Sequence, residues 1–474
     1  MEPGLSPVTT DASTTKGVWA TLREAIRGSS LDYTTAPIGR CIVMLAVPMV
    51  MEMAMESIFV VADVFWVAHL GANAVATVGL TESMLTLVYS LAMGVSIGAT
   101  ALVARRIGEA DSEGAARAGV QSIALGVIVS LLIGVFGGWN ASHLLRLMGA
   151  SDEVVTTGST YARVMFGGNA TIILLFLINA VFRGAGDAAI AMRVLWLGNA
   201  INIVLGPCLI FGPGPFPALG VTGAAVATNI GRGTAVLVQL LTLTRWSTRV
   251  RVARRHLGLE ASAMGTVLRL SGSGTVQILI ATASYVALVR ILSHFGSAAL
   301  AGYTIGIRLI VFALLPSFGI SNAAATMVGQ NLGARKPDRA EKAVWTAAFY
   351  NLIFLGVVGI VFLAGADLIV SLFTSDSTIA SYAVSCLRIV SLGFVFYAYG
   401  MVITQSFNGA GDTWTPTMIN LLVFWAIELP LAWTLSHGGL GARGVFVALA
   451  TCYSLLAVVS AVMFRRGRWK TKAI

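Results

Sequence analysis

Charge is scarce in this sequence. Asp, Glu, Lys and Arg make up 11% of 474 residues, where a typical soluble domain carries about 25%. So few charges cannot give a chain this long a polar surface, and an ordinary soluble fold is excluded. Cysteine is scarce too. Cys41, Cys208, Cys386 and Cys452 lie in or beside apolar runs and form no C-x-x-C pair. They read as small buried hydrophobes rather than a zinc site or disulfide framework. No G-x-x-x-x-G-K-[ST] loop, metal-ligand cluster or nucleophile triad occurs, so neither an enzyme nor a cofactor is expected. Strand-like alternation is missing, which argues against a transmembrane barrel. The polar first 37 residues hold no short apolar stretch before a cleavage site, and no signal peptide is expected.

What the chain has is apolar length. It is 57% hydrophobic, with mean hydropathy +0.84, and its runs of about 20 residues read as membrane-spanning helices. Twelve segments are expected, near 40–68, 78–104, 119–140, 159–182, 189–211, 220–243, 267–293, 302–327, 344–366, 382–407, 414–436 and 441–464. The expected class is an all-α membrane protein. Ahead of the first span, Trp19, Leu22 and Ile26 share a helical face beside Lys16, Arg23 and Arg27. That pattern fits either a surface-lying helix or a mobile tail.

The net charge of +10 is unevenly placed. The two ends and the connections after the even-numbered spans through the eighth hold most of the 31 Lys and Arg. Among these are Arg183 and Arg193 at the fourth connection. Only Arg146 and Arg443 fall on the opposite side, while Arg163, Arg232, Arg290, Arg308 and Arg388 lie within or at the ends of spans. The positive-inside rule then puts both termini in the cytoplasm. It also attributes the basic excess to membrane topology, and no nucleic-acid partner is expected.

Two phrases, "FRGAGDA" (182–188) and "FNGAGDT" (407–413), stand 225 residues apart. The same register carries His69 onto His294, Gly94 onto Gly319, Gly108 onto Gly333 and Arg163 onto Arg388. It then slips to 221, where "GVTGAAVA" (220–227) faces "GARGVFVA" (441–448). The chain is therefore divided into an N-terminal tail (1–39), a first lobe (40–243), a basic linker (244–266), a second lobe (267–464) and a basic tail (465–474). Six spans per lobe make this a parallel repeat, with a pseudo-two-fold axis along the membrane normal. Transporters of this kind hold their site between the repeats and rock to alternate access.

Ionisable groups inside spans are costly and point to function. Glu52, Glu56 and Asp63 lie on one face of the first span, within roughly 40° at about 100° per residue. Glu82, early in the second span, adds a fourth acid. The positions 225 residues later are Gln277, Ala281 and Leu288, so the acidic face belongs to the first lobe alone. It could carry protons or share a Na⁺ with neighbouring oxygens, or it could pair with Arg. Asn199, Asn202 and Thr228 offer neutral oxygens nearby. Glu82, Gln277, Tyr397 and Glu428 are candidates for a substrate cavity, with Arg290 and Arg308 as partners for acids. Pro48 removes a helix hydrogen bond below the acidic stripe and is a candidate hinge. Asp187 and Asp412 of the repeated phrase are expected to cap the following helices.

The segments "VADVFWVAHLGANAVATVGL", "GVSIGATALVARRIGEAD", "FRGAGDA", "NIVLGP", "GVTGAAVAT" and "FNGAGDT" together resemble the multidrug and toxic compound extrusion (MATE) family. The resemblance runs from about residue 40 to 464. It implies two six-helix lobes forming a V in the plasma (inner) membrane. It also implies export of small amphipathic, usually cationic compounds against entering H⁺ or Na⁺, by a monomer. Asp63 matches the family's first-helix aspartate, Asn202 its fifth-span asparagine, Thr228 a threonine of some cation sites, and Pro48 a bending proline. A Na⁺ would then sit at Asp63 and Asn202. Gly206 stands where many members carry a second aspartate, and Glu52 or Glu56 could substitute. The second-lobe acids of another branch are replaced by Ala281 and Tyr397. The alternative is a flippase for a lipid-linked saccharide. That activity needs a cationic cavity, and the acidic stripe argues against it.

Overall fold

The computed structural model describes residues 18–246, 249–258 and 260–472. Residues 1–17 of the expected tail, with Lys16, lie outside them, as do residues 247, 248, 259, 473 and 474. The chain is all-α. Val18–Arg27 forms a short helix that leaves Trp19 largely exposed. Among the described residues eleven helices are long and apolar enough to span a membrane, and a bent pair, Ser377–Leu392 with Phe394–Gly409, counted as one span, makes a twelfth. The first three spans are Ile38–Ala68, Ala72–Gly108 and Ser112–Trp139; the next three are Asp152–Ala185, Ala188–Phe211 and Val221–Arg245. The second lobe has Ala261–Phe295, Ser297–Gly333, Pro337–Ser371, the bent pair, Trp414–Leu440 and Ala442–Arg465.

The repeat is visible in breaks as well as spans. The fourth span is interrupted at Gly168. The tenth is interrupted 225 residues later, at Gly393, with a bend of 61°.

The same register is found where the lobes meet. A Cβ on Gly94 of the second span would lie 2.5 Å from the backbone of Thr275 in the seventh. Its counterpart Gly319, in the eighth span, would place a Cβ 2.8 Å from the backbone nitrogen of Val50 in the first. Val50 and Thr275 are themselves 225 apart, so one contact is the symmetry mate of the other. The pattern recurs where Gly108 abuts Gln330 and Gly333 abuts Arg105. Only glycine lets helix backbones approach this closely.

Beyond that crossing, the lobes join at the end that carries the chain termini and most basic residues. Among the described residues, every hydrogen bond between lobes lies there. Gln330 donates to the Gly184 carbonyl (2.9 Å), Thr326 to that of Arg183 (3.1 Å), and Arg105 to that of Ala410 (3.3 Å). Tyr33, in the segment before the first span, fills the seam. Its hydroxyl donates to the Gly186 carbonyl (3.2 Å) in the first lobe, and its own carbonyl accepts from Arg339 (3.3 Å) and Asn331 (3.4 Å) in the second. A hydrophobic core crosses between lobes at this end, joining Cys41, Leu45 and Met49 to Ala324, Met327 and Ala347. Toward the opposite end each lobe keeps a core of its own. The molecule is closed at the basic end and divided at the other.

The repeated phrase works differently from the expectation. Gly186 (φ +88°) and Gly411 (φ +81°) take the left-handed turn that glycine favours. The Asp187 side chain makes no cap bond to the next helix; it pairs with Arg249 (3.2 Å), just past the sixth span. Asp412 pairs with Lys472 (3.3 Å), past the twelfth, and accepts from Thr415 (2.6 Å). Each aspartate thus fastens the chain that leaves its own lobe.

If backbone contact sets the crossing, Gly94→Ala and Gly319→Ala should each lower stability by about 1–3 kcal/mol, as overpacking does. Gly206→Ala is the control, since a Cβ there meets no atom within 4 Å. Thermal unfolding in detergent, with equal loss in all three variants, would count against the crossing.

Candidate functional site

The acidic face of the first span points into the first lobe, where cations from other spans meet it. Glu52 is 2% exposed. One of its oxygens accepts from Arg183 (2.9 Å) and Asn179 (2.9 Å) of the fourth span. Asn179 accepts in turn from Gln239 (2.6 Å) of the sixth. Arg183, read from sequence as part of a connection, is buried in the last turn of its helix and neutralises Glu52. A buried ion pair of this kind holds a register between helices; it offers no free charge.

One turn further, Glu56 sits beside Arg232 of the sixth span (3.4 Å) and accepts from Asn199 (3.2 Å). The Arg232 guanidinium is buried and donates to the Tyr89 hydroxyl (2.9 Å). It lies over the rings of Phe59 (5.2 Å) and Tyr89 (5.7 Å). Asp63 and Glu82 are within electrostatic reach of the same guanidinium, yet neither makes a hydrogen bond or ion pair among the described residues. Three carboxylates therefore surround one permanent cation, and the cluster is short of positive charge by two.

Asn202 donates to Thr228 (2.8 Å), both buried. Neither is hydrogen-bonded to Asp63, and among the described residues no group of three His, Cys, Asp or Glu side chains could hold a metal ion. Glu82 belongs with the first-lobe acids. Tyr397 and Glu428 lie together in the second lobe, and Gln277 is buried in the seventh span with an unpartnered amide oxygen. Pro48 sits in an unbroken helix, immediately before the Met49–Val50 backbone that touches Gly319, so the missing hydrogen bond falls at the lobe crossing. The pivotal residue overlooked by spacing arguments is Arg232. Its signal was present, since an Arg amid "NIGRGTAV" is as costly inside a span as any acid.

A duplicated six-helix lobe, closed at one end and holding ionisable groups within its spans, is the architecture of a secondary transporter. The model of the family MatE matches residues 48–208 and 275–434, once in each lobe. The chain belongs to that family. It is 26% identical over 442 residues to the Bacillus subtilis protein named "Probable multidrug resistance protein YoeA", covering 92% of this chain and 95% of that one. It is 23% identical over 433 residues to the "Multidrug export protein MepA" of Staphylococcus aureus, covering 90% and 94%. A MATE protein solved in its straight conformation superposes with a TM-score of 0.86 at 27% identity, over 95% of this chain and 99% of the other. An outward-facing multidrug resistance MATE transporter gives the same score and identity over 93% and 98%.

Removing the shared cation should be destabilising. Arg232→Gln is expected to cost about 1–3 kcal/mol, because it leaves the half-buried Glu56 carboxylate and the Tyr89 hydroxyl without the guanidinium that bonds both. Adding Glu56→Gln should restore part of the loss. Thermal unfolding of the single and double variants measures both, and a double variant no better than the single would remove Arg232 from the role of counter-ion.

Proposed function

We propose that this MATE-family chain is a secondary active multidrug exporter, expelling amphipathic organic cations in exchange for entering H⁺ or Na⁺. The observation that carries the reading is the charge shortfall around Arg232. The guanidinium holds Glu56, while Asp63 and Glu82 have no partner of their own. A desolvated carboxylate in that position takes up a proton, a Na⁺ or the positive end of a substrate. These occupants are alternatives, because each cancels the same charge. Mutual exclusion of this sort is what antiport requires. A bound cation from one side biases the lobes toward one arrangement, and substrate arriving from the other displaces it.

The basic end then faces the cytoplasm of a plasma membrane, as the Lys and Arg asymmetry requires, and the divided end faces outward. One chain contains both lobes, so a monomer suffices. Asn202 and Thr228 would supply neutral oxygens near Asp63 if Na⁺ is the ion. A flippase for a lipid-linked saccharide would need unpaired cations facing its phosphates, whereas Arg183 and Arg232 are both engaged with glutamates.

The test is efflux of a panel of cationic dyes from proteoliposomes, with Na⁺ and pH gradients imposed separately. Asp63→Asn should abolish gradient-driven efflux and weaken the competition between dye and H⁺ or Na⁺, since it removes one of the charges that both would cancel. Unchanged efflux from the variant would refute the coupling role.

A further inference from the structure

The second lobe also buries an acid, in a setting that inverts the first. Glu428 lies on the eleventh span at the end of a π-helical stretch, Leu421–Glu428. Such wide turns are uncommon and concentrate at functional positions. Its side chain is 2% exposed. One oxygen accepts from the Ser284 hydroxyl of the seventh span (2.8 Å); the other, Oε1, has no partner. The titratable groups within reach are Tyr303 of the eighth span, Tyr397 of the tenth, and Cys452 and Tyr453 of the twelfth. Tyr397 and Tyr453 stack at 4.1 Å and close one wall. Among the described residues no Lys, Arg or His pairs with Glu428. Arg290 and Arg308, the partners suggested by sequence, form no ion pair or hydrogen bond with it among the described residues, where Ser284 is its one polar partner.

The repeat explains why no cation is there. The slipped register of 221 places Tyr453 where the first lobe has Arg232. The main register of 225 places Ser284 where it has Phe59. A guanidinium over a ring has become a phenol beside a hydroxyl. An ionised carboxylate so enclosed, with one hydroxyl donor and a bare second oxygen, would cost several kcal/mol. A neutral carboxylic acid there costs less, since it buries one hydroxyl without an acceptor rather than a charge.

We infer that Glu428 is a proton-binding site of the second lobe, separate from the acidic cluster of the first. In this arrangement the acid is neutral, with the proton on Oε1 and Oε2 accepting from Ser284. When lobe movement admits water, the O–H bond breaks, the proton passes to water and the carboxylate remains. The reverse step reloads it. The inference rests on the exchanger reading for its role in transport, but the site's existence is independent of it.

The two are separable by measurement. Infrared difference spectra of the protein in liposomes, recorded across pH, should show a protonated carboxyl C=O band that is present in the parent and in Asp63→Asn. The band should be absent in Glu428→Gln, which keeps the volume and an acceptor for Ser284. Ser284→Ala should make it persist to more alkaline pH, since the ionised acid loses its one donor. In dye efflux driven by a pH gradient, Glu428→Gln should roughly halve the protons exchanged per dye. A Glu428→Gln spectrum identical to that of the parent overturns the site. A titrating Glu428 band in a protein that moves no dye leaves the site standing and overturns the exchanger reading. An unchanged proton ratio with a titrating band removes Glu428 from the transport cycle.

Discussion

Where the lobes cross, backbone lies against backbone, and the rest of the molecule is arranged around that contact. Side chains at Gly94 and Gly319 would separate the first span from the eighth and the second from the seventh. Because glycines face backbone there, the helices approach more closely than side chains would allow. The separate cores toward the divided end and the shared core at the basic end follow from where the crossing sits. Pro48, immediately before that point, leaves the first span a backbone hydrogen bond short at the crossing.

Inside the lobes the governing cost is charge in a poor dielectric. The first lobe meets it by supplying cations. Arg183 pairs with one oxygen of Glu52 and Arg232 serves Glu56, while Asp63 and Glu82 are unpaired among the described residues. The second lobe has dispensed with the cation and keeps one acid among tyrosines. Descendants of one six-helix ancestor thus reached different electrostatic solutions on the same scaffold, and the difference resides in a few substitutions, Tyr453 for Arg232 foremost among them.

Much of this was legible before any coordinates. Apolar length marks a spanning helix because lipid demands it, and the twelve spans appear where hydropathy places them. The register seen in the sequence recurs in the contacts, where Gly94 with Thr275 mirrors Gly319 with Val50. What sequence could not show was pairing. Glu52 and Arg183 are 131 residues apart, and no local pattern says which helix faces meet across such a distance. Asp187 and Asp412 stood at helix starts, where capping is the local expectation. Cations from the chain leaving each lobe claimed them instead, since an ion pair in a half-buried turn outweighs one cap. Arg232 was legible as an anomaly, but its meaning depended on knowing that Glu56, Asp63 and Glu82 converge on it.

Tyr33 has a consequence of another kind. It lies outside the spans, yet it is 2% exposed and bonded to both lobes. Opening the basic end must extract it, and with it the hydrogen bonds that Arg339, Asn331 and Gly186 now share. The resting bias of the transporter is therefore written partly in a short peripheral segment that touches neither ion nor cargo. Mutation there can retune how long the molecule dwells in each state while leaving its chemical selectivity intact. A lineage could adjust its rate of turnover independently of what it recognises.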